Sequence, residues 1–232
     1  SVLHLTDKDY FEHGMESLLA IEGTAYDLNI KMFNKLQHAI TGWPGGKPNS
    51  EFQKRPERST PEKKRVIIFS PHPDDDVISM GGTFDRLVEQ GHEVHVVYQT
   101  SGNIAVSNDE ALKFAEIGLV FNPTNESYIK IIDFINQKSS SVSDILELRN
   151  LKAQIRQKES LGATRYLGLP DNQVHFLNLP FYETGTIKKS PLSKNDVELM
   201  VGIIDTIRPH QIFAAGDLAD PHGTHKVCLE VI

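Results

Sequence analysis

Apolar residues recur at helical spacing through residues 7–40. Phe11, Met15, Leu18 and Leu19 form one stripe, and Leu28, Met32, Leu36 and Ile40 form a second. Gly23-Thr24 interrupts them, so the pattern predicts two helices. The following Thr41–Asn49 segment holds Gly42, Trp43, Pro44, Gly45, Gly46 and Pro48 and suits neither helix nor strand. The mostly basic stretch from Lys47 to Arg65 reads as a solvated linker. A boundary near residue 61 follows, with a helical connector and Pro/Gly-rich linker over 1–61 and a second domain over 62–232.

Past that boundary the pattern alternates. Val66–Phe69 is a short continuous apolar run, as a strand buried on both faces requires. Gly81–Gln90 reads as a helix with Phe84, Leu87 and Val88 inward and Gly91 as its stop. Val94–Tyr98 is a second strand. Ser107 with Glu110 opens a capped helix through Ile117. Helices are expected near 125–137 and 143–162, the latter striped by Ile145, Leu148, Leu151 and Ile155. Val174–Leu177 is a third strand, Ser193 with Asp196 opens another helix, and Gln211–Ala215 is a fourth strand. Such alternation predicts an α/β fold: a Rossmann-like parallel sheet with helices on both faces, preceded by the helical connector.

Composition narrows the function classes. The 232 residues carry 24 Lys and Arg against 31 Asp and Glu, a net charge of −7, which is no footprint for nucleic acid. No apolar run approaches the ~18 residues of a membrane span. A single cysteine, Cys228, excludes a disulfide framework and fits a reducing, cytoplasmic setting. With ten histidines beside it, any metal site should use imidazole and carboxylate. The chain starts at Ser1 and stops at Ile232 inside an apolar helical turn, so it is expected to be a piece of a longer protein.

Ligands of open α/β sheets bind beyond the carboxyl ends of the strands. After the first strand comes Ser70-Pro71-His72-Pro73-Asp74-Asp75-Asp76, and after the fourth comes Gly216-Asp217-Leu218-Ala219-Asp220-Pro221-His222-Gly223-Thr224-His225. Adjacent carboxylates repel unless a cation compensates them. His72 and Asp75 can reach one ion from a tight turn, and His225 can add a third ligand. Zinc takes such donors and leaves a position for water in catalytic sites. Asp74 and His222 are then the polar residues placed to touch that water, as hydrolysis needs a base and an oxyanion donor. Thr100, Ser101 and Asn103 at the second strand end are either substrate contacts or a polar turn, and Glu183–Thr186 is either a cover for the site or an idle loop.

His72-Pro73-Asp74-Asp75, followed by Gly81-Gly82, resembles the hallmark of the LmbE-like/PIG-L N-acetylglucosaminyl deacetylase family, which pairs a His-Pro-Asp-Asp-Glu motif with a downstream His-x-x-His. The resemblance covers residues 64–232 and implies zinc held by His72, Asp75 and His225. It further implies Asp74 as general base, His222 on the oxyanion side and an N-acetylglucosamine-type substrate. Arg156, paired with Glu159 in an Arg-x-x-Glu helix, and Asp171, closing the Leu167–Asp171 turn, are the substrate-binding residues it implies. Asp76 replaces the usual Glu, and Gly223-Thr224 replace Pro-Asp between the histidines. The family's last strands and helices are expected beyond Ile232. Residues 1–65, with Tyr26–Ile30 and Gly42–Gly46, resemble the connector of bacterial fusions in which a glucosamine-6-phosphate deaminase-like domain precedes a PIG-L-like one. Two rival readings are a magnesium or phospho-acceptor site, disfavoured by the two imidazoles, and a non-catalytic metal-binding module attached to a deaminase-like domain.

Overall fold

The first apolar stripe does not make a single helix. The computed structural model describes residues 5–37, 63–138, 142–186, 188–216 and 222–232, and its N-terminal part holds three helices: α1 (Asp7–Glu12), α2 (Glu16–Glu22) and α3 (Ala25–Gln37). Gly14, at φ +70°, separates α1 from α2 in a conformation that favours glycine. The break turns the second segment away from the first, so one stripe cannot face one side. Phe11, Met15 and Leu18 are exposed, and the small core here is Tyr10, Ala25 and Leu28, with Leu5 and Leu19 against it. Thr6 and Asp9 form a capping box on α1, and the Asn29 amide donates to the Leu5 carbonyl across the bundle. The expected linker, with Trp43 and the boundary near residue 61, lies outside the described residues.

The chain divides into two compact units, one within 1–64 together with 89–92, the other comprising 65–88 and 93–232. The larger unit is built on four strands: β1 (Arg65–Ser70), β2 (Glu93–Tyr98), β3 (Val174–Phe176) and β4 (Gln211–Ala214). All pairings are parallel, in the order β3-β2-β1-β4. Its helices are α4 (Asp75–Glu89), α5 (Asn108–Phe121), α6 (Glu126–Gln137), α7 (Leu146–Tyr166), α8 (Lys194–Ile207) and α9 (Thr224–Glu230). The capping residues Ser107 and Ser193 accept from the backbone N–H groups of Glu110 and Asp196, as read from the sequence.

Period-two alternation sorts β1 between two cores. Val66 and Ile68 pack with Phe84 and Leu87 of α4 on one face. Ile67 and Phe69 pack with Met200 of α8 and Cys228 of α9 on the other. Each such fully buried aliphatic side chain contributes ~1.5–3 kcal/mol. The α/β architecture with helices on both faces is therefore present. The third core joins α5, α6 and α7 through Ala111, Ala115, Ile131 and Leu148.

The strand order also locates the functional edge. From β1 the chain moves outward through β2 to β3, then returns to place β4 on the other side of β1. The reversal leaves a crevice at the carboxyl ends of β1 and β4. α4 starts at Asp75, earlier than the expected Gly81, and is kinked at Met80, next to the Gly81-Gly82 pair. That extra first turn carries the acidic motif.

Candidate metal centre

Ser70 ends β1 and the chain turns at once into α4. The Ser70 hydroxyl donates to the His72 carbonyl (2.6 Å) and accepts from the Asp76 backbone N–H (3.0 Å). The Asp74 carbonyl accepts from the N–H of Ile78 (3.0 Å), opening the helix. Asp75 therefore sits in the first turn, where the helix dipole favours a carboxylate. It also accepts from the His72 backbone N–H at 2.8 Å.

The other half comes from α9. Thr224, Cys228 and Val231 lie on its buried side, at helical spacing. His225 is left to face the β1 turn. The Gln99 amide donates to the Cys228 carbonyl (2.8 Å), tying this helix to the end of β2.

Three donor atoms thus converge from two elements. His72 Nδ1 lies 3.2 Å from Asp75 Oδ2 and 3.2 Å from His225 Nε2, and the latter two atoms are 3.3 Å apart. A tetrahedral ion with ~2.05 Å bonds needs donor separations of about 3.3 Å. Among the described residues this is the group of His, Cys, Asp and Glu disposed to hold a metal ion. Burial raises the Asp75 pKa, but the His72 ring and backbone N–H, with His225, outweigh it and hold the carboxyl below its ordinary value.

The neighbouring carboxylates part company. Asp74 is 42% exposed at its side chain and meets the Arg156 guanidinium at 2.8 Å. Arg156 is also 3.7 Å from Glu159, one turn along α7. Asp76 is 2% exposed and accepts from the Tyr98 hydroxyl (2.9 Å) and from Ser70 (3.3 Å). Burial pushes its pKa up, against those hydrogen bonds. The shorter residue at this position is an internal anchor for the turn.

A cleft of about 590 Å³ has His72, Asp74, Asp75, Arg156 and His222 in its wall. The structure therefore brings together His72, Asp74, Asp75, His222, His225 and Arg156. It does not bring Asp171 there: that residue is exposed and paired with Arg165 (2.8 Å) just past α7. There the Asp171 carboxylate is used locally, by a partner six residues away on the surface.

Sequence reading missed several parts of the wall. The Tyr182 ring stands edge-on to the His72 ring at 5.8 Å, and its hydroxyl is pushed up to about 12 by burial, with Glu183 adding to it. Lys189 places its ammonium 4.2 Å above the Tyr182 ring, and burial lowers its pKa while Glu183 opposes. Ile78, 75% exposed, and Ile104 form an apolar rim. The one available signal was the aromatic and basic content of the segment after β3.

Thr100 and Asn103 turn inward. The Thr100 hydroxyl donates to the Pro71 carbonyl (2.7 Å), and the Asn103 amide donates to Glu183 (2.9 Å). Gly102, at φ +63°, runs so close that an added Cβ would meet Pro73 Cδ at 2.8 Å. The Glu183–Thr186 segment is held by this turn and by Arg149, whose guanidinium donates to the Glu183 carbonyl (2.9 Å).

Comparison with known proteins assigns the lineage. Residues 67–232 match PIG-L, the GlcNAc-PI de-N-acetylase family. The chain is 53% identical over 240 residues to a glucosamine-6-phosphate deaminase-like protein of Bacteroides thetaiotaomicron. All of this chain is matched, but it spans only 36% of that relative's length. N,N'-diacetylchitobiose deacetylase from Pyrococcus horikoshii is similar at a TM-score of 0.48 and 22% identity, over 87% of this chain and 55% of that one. No described helix is long and apolar enough to cross a membrane. With more than half its length matched, and with the His-Pro-Asp-Asp turn and the distal histidines at one sheet edge, this chain belongs to the PIG-L family.

Proposed function

We propose that this chain is a zinc-dependent N-deacetylase that hydrolyses the acetamide of an N-acetylglucosamine-type substrate. The triangle of donor atoms from His72, Asp75 and His225 carries the reading, because its edges suit a tetrahedral ion with imidazole and carboxylate ligands. Magnesium prefers an all-oxygen octahedron, which two imidazoles do not supply. Zinc bound there would acidify a water and polarise the amide carbonyl.

The remaining chemistry belongs to side chains of the cleft. Asp74 takes the proton from the attacking water and returns it to the leaving amine. Arg156, 2.8 Å away, holds that carboxylate in place and is also within reach of sugar hydroxyls. His222 donates to the carbonyl oxygen as negative charge develops there. Ile78, Ile104 and Tyr182 offer apolar surface to the sugar ring and acetyl methyl. Family membership supports the substrate class. The longer relative and its name support a larger protein with a deaminase-like domain; in this reading residues 1–61 are the connector and residues 62–232 the deacetylase domain.

The test measures metal content and acetate release on one preparation, with N-acetyl amino sugars as substrates. Stoichiometric zinc, activity lost on chelation and restored by zinc, and a His225→Ala variant lacking both are expected. Equal zinc in wild type and His225→Ala would refute the ligand assignment. Zinc lost in the variant, with no acetate released by wild type from any such sugar, would favour the non-catalytic module.

A further inference from the structure

A separate concavity, about 280 Å³, is lined by the Asn103–Ile104 segment. Ile104 also lines the metal cleft. Among the described residues the concavity's charged side chains come from the end of α6 and the start of α7: Lys138, Arg149 and Lys152, with one carboxylate, Asp144. Ser143 and Thr186 add hydroxyl-bearing wall.

The charges here are unbalanced. Asp144 is shared, with Lys152 at 2.8 Å and Lys138 on its other oxygen. Burial raises its pKa, but the two ammonium groups outweigh that and keep it ionised below the usual carboxylate range. Lys152 is 5% exposed, and its second partner is the neutral Asn108 amide oxygen at 2.8 Å. Arg149 has one neutral acceptor, the Glu183 carbonyl, and its Nε–H is buried with no acceptor. The Glu183 carboxylate is engaged by Asn103 and the Ser101 N–H. Three cations therefore face one carboxylate around a cavity large enough for a tetrahedral oxyanion.

We propose that this cavity is an oxyanion site for a phosphoryl group, separate from the metal centre. An anion there answers the surplus positive charge and supplies acceptors for Arg149 and Lys138. It also braces the 102–105 and 183–186 segments, which carry Ile104 and the residue following Tyr182 in the cleft wall. The phosphoryl group has two sources, a phosphorylated sugar substrate that spans Ile104, or free phosphate acting on its own.

The test is calorimetric titration of inorganic phosphate into the metal-free chain, so it stands whether or not the deacetylase reading holds. One saturable millimolar site is expected, weakened by added salt. Arg149→Gln should lower the affinity about tenfold and Lys138→Gln several-fold, consistent with loss of a charge-assisted contact. His225→Ala should bind phosphate as wild type does. Lys138→Gln keeps the test decisive if Arg149→Gln does not fold. Absence of saturable binding, unchanged affinity in the folded variants, or loss confined to His225→Ala would overturn the site. Titrations with N-acetylglucosamine and its 6-phosphate then separate the sources. A gain in affinity from the phosphate that Arg149→Gln or Lys138→Gln removes identifies the substrate's own group. Phosphate bound without affecting either sugar identifies an independent effector.

Discussion

The turns after β1 and β2 leave the same sheet edge side by side, and both are strings of polar residues. Their side chains do opposite things. The β1 turn presents His72, Asp74 and Asp75 to the cleft, while the β2 turn buries Gln99, Thr100, Ser101 and Asn103. The second is the foundation of the first: the Gln99 N–H donates to the Ser70 carbonyl (2.9 Å), and Thr100 donates to Pro71 from both backbone and side chain. Gln99 also holds the helix that carries His225. A polar residue at a functional edge is therefore not by itself a substrate contact. Buried polar groups need partners, and here they find them in the neighbouring turn.

The comparison can be broken most severely at Asp74. Asp74→Asn should retain metal and fold while turnover falls on the order of a hundredfold or more. Acetate release beside metal content checks it. Activity within about twofold of wild type would place the base elsewhere.

Asp76 faces the other way and should behave differently. Asp76→Ala leaves the buried Tyr98 hydroxyl without its carboxylate acceptor. A destabilisation of ~1–3 kcal/mol is expected, seen as a thermal midpoint lower by several degrees. An unchanged midpoint would mean that Asp76 does not anchor the turn.

The smallest effect belongs to the foundation itself. Thr100→Val removes the hydroxyl bond to Pro71 and should cost about 1 kcal/mol in urea unfolding, with KM nearly unchanged. A large rise in KM with no loss of stability would show that Thr100 touches substrate after all.

Much of this was legible in the residues. Apolar runs marked β1 and β2, Ser107 and Ser193 marked helix starts, and the donor types after β1 and β4 named the candidate chemistry. One misreading has a local cause. The stripe from Phe11 to Leu19 has helical period, but Gly14 breaks it, and the buried set became Tyr10, Ala25 and Leu28.

By itself, then, the sequence determined which segments become buried strands and which residue types follow them, because periodicity, capping and turn chemistry act within a few residues. Only the tertiary structure decided that His72 and His225, 153 positions apart, approach to 3.2 Å. It alone sent Asp75 to the cleft and Asp76 to the interior, turned Thr100 and Asn103 inward, and set three cations and Asp144 around one cavity. Those outcomes depend on the order of strands and on which neighbour claims each polar group, and no short window of sequence contains either.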